Sequence, residues 1–470
     1  LSKLQAIPQK MKVFQNCNFF DTAPLLMLVT CILCIGLAQA QELVAVQIFY
    51  PKEEGGKLKA DFFINNHRDS LKHGDYKAYY RSGKLSLTGS YQNGERHGTF
   101  KEYYQNAKLK QETNYINGKR EGASLGFDSL GNIIQRAFYR GDVLQDSLIT
   151  YYSNGVVKSA AFFVDGKPEG LTIENYPNGV RKKEILNKAG VPNGLTREYF
   201  ESGILAIEAE YINGYLNGIY KLYHPNGKLD TQSYMVNGAK DGFFKSYNID
   251  GGLIMEGQYK AGYNHGPHKS YYDDGTIRAV VDYERGKKTG TAEYFDTKGR
   301  IKERIKWQND EKKWVKGYFE NGALAYEKNY LNTKTPYGPW IYYYANGKKR
   351  KQEEYGDDGK LTGTQILWDS SGTKIEVASF AFGLRSGTRS FYHASNGKLA
   401  SQTEYKSDMR NGKHSEYTLE GKLYCEGAFK NDKETGRWVY YDEFKSPVKY
   451  VTYRNGKIVS VREVKFKGKK

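Results

Sequence analysis

The residues able to do chemistry are few and scattered. His73, His97 and His265 each stand immediately before a glycine, and His265-Gly266-Pro267-His268 sets two imidazoles close together. Imidazole serves as metal ligand and as acid–base group near neutral pH. A zinc site needs three or four converging donors, and no cysteine or carboxylate completes such a set at a fixed spacing. Paired carboxylates occur at Asp273-Asp274, Glu353-Glu354 and Asp357-Asp358. They lie in turns or on solvated strand faces, and turn propensity accounts for them without an acid–base role. Phosphate-cradling glycine loops and a Cys–His nucleophile pairing are missing from the sequence. The expectation is a protein that is not an enzyme and takes no metal or cofactor.

Aromatic side chains offer a different chemistry, that of stacking. Trp340, Tyr342 and Tyr344 lie in GPWIYYYANGK (338–348), and Trp438 lies in GRWVYYDE (436–443). These stretches look similar to repeats of cell-wall and glucan-binding modules, where exposed rings stack on sugars or choline. Trp340, Trp438, Tyr342 and Tyr344 are therefore the candidate binding residues, read as exposed rings. Such modules carry a tryptophan in most repeats, whereas this chain has five in all. Most of its tyrosines are accordingly read as core.

What positions these residues is a repeat. Cut every twenty-four residues from Gly74, the chain gives pieces opening at Gly74, Gly98, Gly122, Asp146, Gly170, Gly194, Gly218, Gly242, Gly266 and Gly290. With small slips the frame continues through Trp314, Gly338, Gly363, Gly387, Gly412 and Gly436, making sixteen copies. Five residues after the start stands an aromatic residue in nearly every copy, as in Tyr79, Tyr103 and Tyr151, the fifth copy having Asn175 there with Tyr176 next to it. A turn such as Asn154-Gly155 follows and is expected to be type I′. Leu205, Ile207, Ala209 and Tyr211 then alternate with polar residues, the period of a strand. Each repeat is one β-hairpin. The expected fold is all-β: an elongated, single-layer antiparallel meander of about sixteen hairpins, advancing ~10 Å per repeat. One feature stays open, because Tyr76, Phe100, Phe244 and Trp340 have the opposite parity to the aromatic at the fifth position. Either a bulge separates them or both faces are partly apolar.

The pattern G-x-x-x-x-Y-Y-x-N-G-K-L followed by Y-x-N-G-K-x-x-G resembles the MORN-repeat variant of bacterial antitoxin-like proteins. GTFKEYYQNAKLKQETNYINGKREG (98–122) and GIYKLYHPNGKLDTQSYMVNGAKDG (218–242) carry it best. The resemblance implies a non-enzymatic repeat scaffold without catalytic residues. Some members are paired with toxins by gene neighbourhood, and membrane binding has been proposed for others.

Forty-one Tyr and 51 Gly against 11 Pro fit strands and tight turns. Leu25–Leu37 is an apolar run ending in Ala38-Gln39-Ala40, the pattern of a secretory signal peptide cleaved after Ala40, with Met11 as a candidate start. The expected organisation is leader 1–40, a degenerate half-repeat cap 41–73, the array 74–460 and a basic tail 461–470. Cys17, Cys31 and Cys34 fall in the leader, so an exported chain keeps only Cys425 and has no internal disulfide. The net charge is +18. Lysines are interleaved with glutamates, as in Lys302-Glu303-Arg304, a solvated face and not a nucleic-acid surface. The expected partner is a protein, with a cell-wall glycan or an anionic membrane surface as alternatives. The expected location is the periplasm, cell surface or exterior.

Overall fold

A computed structural model describes residues 43–65 and 71–464. Among the described residues, thirty-five strands make one open antiparallel sheet, and the helical element is a single 3-10 turn, Lys52–Glu54. The expected leader at 1–40 and the basic end at 465–470 lie outside the described residues. The segment read as a cap supplies a complete hairpin, Leu43–Phe49 and Leu58–Asn65, which pairs onto Lys72–Tyr79. The last strand, Lys457–Glu463, runs past the expected end of the array.

The question of parity has a double answer. A register shift falls just before the aromatic at the fifth position in most hairpins, as between Glu102 and Tyr103 or between Ser270 and Tyr271. Both faces are also occupied. On one, the residue two after the opening glycine packs in a row with the small residue of the next strand. Phe100 stacks edge-on with Tyr91 and Tyr115, and Phe244 with Tyr259. The other face carries a charge ladder in which Glu208 bridges Arg197 and Lys221 at 3.1 and 3.0 Å, and Glu256 lies between Lys245 and Lys269. The fifth-position tyrosines belong to this charged face: the Tyr271 hydroxyl donates to Glu256 at 2.8 Å and that of Tyr199 to Glu184 at 3.1 Å.

Size complementarity governs the packed row. Where a ring comes from each neighbouring strand, the residue between them is glycine in three cases: Gly89 between Tyr76 and Phe100, Gly257 between Phe244 and His268, Gly427 between His414 and Trp438. A Cβ on any of the three would fall 2.2–2.4 Å from the facing ring. Where the neighbours are smaller the residue grows, as with Ala137 against Ser124.

The two rows of turns differ. In the Asn154-Gly155 row positive φ is confined to the glycine position, taken by Ala107 and Lys445 in two copies, and Gly155 N–H donates to Tyr152 while Tyr152 N–H donates to Val156. That is a type I turn closed by a left-handed glycine, not the expected type I′. Type I′ geometry belongs to the other row, where Asn117 and Gly118 have φ of 49° and 76°. Asn154 stays right-handed because its side chain is engaged twice, accepting from Val156 N–H and donating to Pro177 of the next repeat at 2.8 Å.

Both rows are stitched from repeat to repeat. The tyrosine six residues after the start donates to the backbone carbonyl just before its counterpart in the next repeat: Tyr104 to Phe127, Tyr152 to Asn175, Tyr176 to Tyr199, Tyr344 to Trp368. The turn lysines do the same, Lys228 to Asp250 and Lys398 to Glu420. In the other row the turn N–H reaches back, Gly118 to Arg96 and Gly238 to Leu216. Each neutral bond contributes roughly 0.5–1.5 kcal/mol. Aspartate in place of that tyrosine caps its own turn instead, as Asp128 does to Leu130 and Asn132.

Gly89→Ala should destabilise the repeats around it by about 1–3 kcal/mol, since the added methyl must displace the Phe100 ring. Hydrogen exchange should show protection lost first over 76–115. Tyr152→Phe should cost roughly 0.5–1.5 kcal/mol, read as faster exchange at the 152–180 turns alone.

Candidate binding face

The rings expected to be exposed are mostly covered. Trp438 is 6% exposed and sits edge-on to Phe429 and Tyr453, so it is not the open stacking platform expected from sequence. Trp340 is half-buried, donates Nε1–H to the Asn329 carbonyl at 2.8 Å, and is flanked by Tyr330 and Tyr355. Tyr344 is half-buried with its hydroxyl bonded to Trp368, and Tyr342 is half-buried under Lys328, Arg350 and Lys351. Trp438, Trp340 and Tyr342 are covered because they lie in the packed row beside the next strand, whereas Tyr344 is held at the turn edge by its bond to the next repeat. Cations from the turn edge add to the cover: Arg96 lies 4.8 Å from the Phe100 ring, Lys240 4.2 Å from Phe244 and Arg410 4.0 Å from Phe429.

Trp340 and Tyr342 do take part in a local charged cluster. Lys328 Nζ lies 4.5, 5.0 and 5.3 Å from the ring centres of Tyr326, Trp340 and Tyr342. Burial holds its ammonium below the ordinary lysine value, with Glu303 and Glu353 opposing. Glu353 is 5% exposed and is met by Lys351 at 2.5 Å and Gln365 at 2.9 Å. The Tyr326 hydroxyl donates to Glu303 at 2.7 Å. The cluster satisfies its own charges and leaves little to offer a ligand.

Of the histidines before the glycines, His73 acts as a turn acceptor, whereas His97 Nδ1 is buried without a partner among the described residues. His73 Nδ1 accepts from Asn93 N–H, and the equivalent Asn193, Asn217 and Asp241 accept from Asn213, Asn237 and Ala261. His268 is different. It replaces an aromatic in the packed row, stacks between Tyr259 and Tyr283 at 5.5 and 4.9 Å, and is 7% exposed. Its Nδ1 donates to the Gly266 carbonyl, while Nε2 has no partner among the described residues. Gly122-Ala123-Ser124-Leu125-Gly126 has the spacing of a nucleophile elbow, which sequence reading passed over. Ser124 lies mid-strand, 6% exposed, with its hydroxyl 2.7 Å from that of Thr113, so it is core and not a nucleophile.

An open apolar surface is found instead on the charged face. The residue directly after the opening glycine is Leu171, Leu195, Ile219 and Phe243 in four consecutive repeats, against Asp75, Thr99 and Thr291 elsewhere. Cross-strand partners extend the patch, Leu186 opposite Leu171 and Tyr234 opposite Ile219, with Tyr234 and Phe243 rings 6.5 Å apart. Leu171 is 53% exposed, and Leu186, Tyr234 and nearby Phe162 are also exposed. The charged ladder of Arg197, Glu208, Lys221 and Lys245 runs alongside. A strip rimmed by both signs of charge is the form of a protein-binding surface. Four apolar residues at a twenty-four-residue interval were the signal available in the sequence.

Seven segments match the model described as MORN repeat variant: residues 72–93, 96–117, 192–213, 216–237, 264–285, 315–332 and 336–357. None of the curated proteins matches the chain. Solved structures that align with it include a TcdB2-TccC3 crystal structure, at 10% identity over 89% of this chain and 26% of that one, TM-score 0.14. A second is the Photorhabdus luminescens Tc holotoxin pore, at 10% identity over 88% and 26%, TM-score 0.14. The chain thus spans about a quarter of the structures it aligns with.

Burial holds the His268 imidazolium below its ordinary value, so the unfolded chain binds that proton more tightly. Its contribution is present above about pH 6.5 and is lost as pH falls from there toward the depressed folded value. His268→Phe, the residue type of Phe100 and Phe244, should remove that part of the acid sensitivity. Denaturation midpoints of the two proteins from neutral to acid pH check this.

Proposed function

We propose that this chain, built of MORN-variant repeats, is a non-enzymatic scaffold that binds another protein along the charged face of its sheet. The observation that carries the reading is the apolar strip of Leu171, Leu186, Tyr234 and Phe243. Four hairpins extend ~40 Å, long enough to hold the roughly 800 Å² per partner of a standard protein interface. Many shallow contacts on one stiff surface then sum to affinity. The partner's surface carries an apolar stripe flanked by both acidic and basic groups, to answer the Arg197–Glu208–Lys221 ladder. The leader expected at 1–40 supports placement outside the cytoplasm, in the envelope or beyond.

Wild-type chain should capture one protein stoichiometrically from envelope extract. Leu171→Lys with Tyr234→Lys should weaken that capture at least about tenfold, corresponding to 1.4 kcal/mol. Glycan arrays and anionic vesicles should stay blank. Retention on purified glycan or vesicles, undiminished in the double variant, would overturn the reading.

A further inference from the structure

At the far end of the array, on the packed face, His414, Glu416 and Cys425 bring three different metal-ligand types together. His414 and Glu416 lie two apart on the strand Met409–Tyr417 and so point to the same side. Cys425, on Leu423–Lys430, is the cross-strand partner of Glu416. The ligand atoms of the three all lie within 4.8 Å of one another, and His414 Nε2 is 3.1 Å from the Glu416 carboxylate. We propose that these three residues bind a zinc ion, with a fourth coordination position open to solvent.

The surroundings suit that role. Thr403 Oγ1 lies 2.7 Å from His414 Nδ1, the outer contact that orients a ligating imidazole and leaves Nε2 for the metal. A hydroxyl can donate or accept, so it serves both the empty and the occupied site. The Phe429 and Trp438 rings, each 5.3 Å from the His414 ring, restrict its rotation. Cys425 is 2% exposed, whereas the Glu416 side chain is 46% exposed, so the site is dry on one side and open on the other.

Thiolate and imidazole together favour zinc over calcium or magnesium. Zinc distances of about 2.0–2.3 Å require the donors to draw in, which rotation of the half-exposed Glu416 allows. Without an ion, burial and then Glu416 push the Cys425 thiol up to about 12. Binding replaces the S–H bond with a sulfur–metal bond, and the proton leaves to solvent. Thiolate and carboxylate then balance the two positive charges, and the imidazole stays neutral.

The test uses the full chain with Cys17, Cys31 and Cys34 changed to Ser, so that Cys425 is the sole thiol. Cobalt(II) titration should give one equivalent of uptake with a thiolate-to-cobalt charge-transfer band, and zinc should displace it. Cys425→Ala should abolish the band, and His414→Phe should weaken uptake at least about tenfold, as Thr403→Val, which removes the hydroxyl that orients His414, should by about 10–100-fold. Ala279 and Phe100 occupy the equivalent positions in other repeats, so these variants keep residue types the fold already accepts. Absence of the band in the parent, or equal uptake in Cys425→Ala and His414→Phe, would overturn the site.

Discussion

A single layer of sheet has no second layer to cover it, and the rest of the structure follows from that constraint. Each large side chain gains roughly 1.5–3 kcal/mol only if something removes it from water, and here the cover must come from the next strand along. The packed row answers with alternation of size. Gly89, Gly257 and Gly427 are bare because a ring from each side closes over them. Ala209, against Thr196, has room for a methyl. The charged face meets the same need differently, through glutamates held by a cation on each side, as Glu208 is by Arg197 and Lys221. Those pairs are part-exposed, so each is worth little alone; their value lies in filling a face that must stay wet.

The same constraint places stability between repeats. Tyr104, Tyr152, Tyr176 and Tyr344 spend their hydroxyls on the following repeat, and Asn154 and Asn226 add side-chain bonds to the following turn. The residues of the Tyr-Tyr-x-Asn-Gly-Lys phrase are thereby accounted for one by one, as couplers. An array coupled to nearest neighbours opens locally before it opens globally. Asp128, Asp296 and Asp369 close their own turns and forgo the tyrosine link, so the coupling is weaker at those joints.

The fold was legible because a twenty-four-residue frame and a period of two are properties of the chain alone. The hairpins and their order could be read from Leu205 to Tyr211 and its counterparts. Two things could not. Asn-Gly appears in both turn rows, and which row is type I′ depends on partners in the adjoining repeat, as the Asn154 link to Pro177 shows. Trp438 and Trp340 looked like open platforms because residue type says nothing about cover. The next strand and its tyrosines supply that cover.

Departures from the repeat rule therefore carry more functional information than the rule. A position that is polar in half of the copies but reads Leu171, Leu195, Ile219 and Phe243 in four consecutive ones puts apolar surface on the wet face, with Leu171 exposed and the other three half-buried. Exposed apolar surface has a cost in solubility, and neighbouring repeats show that Thr99 or Thr291 serves the hairpin as well. The same reasoning distinguishes His414 and Cys425, where other copies carry Phe100 and Ala279, from His73, which repeats a turn contact that Asn193 or Asp241 makes equally well. In an array this regular, the frame specifies the sheet, and the residues free to differ from copy to copy are those that specify what the sheet meets.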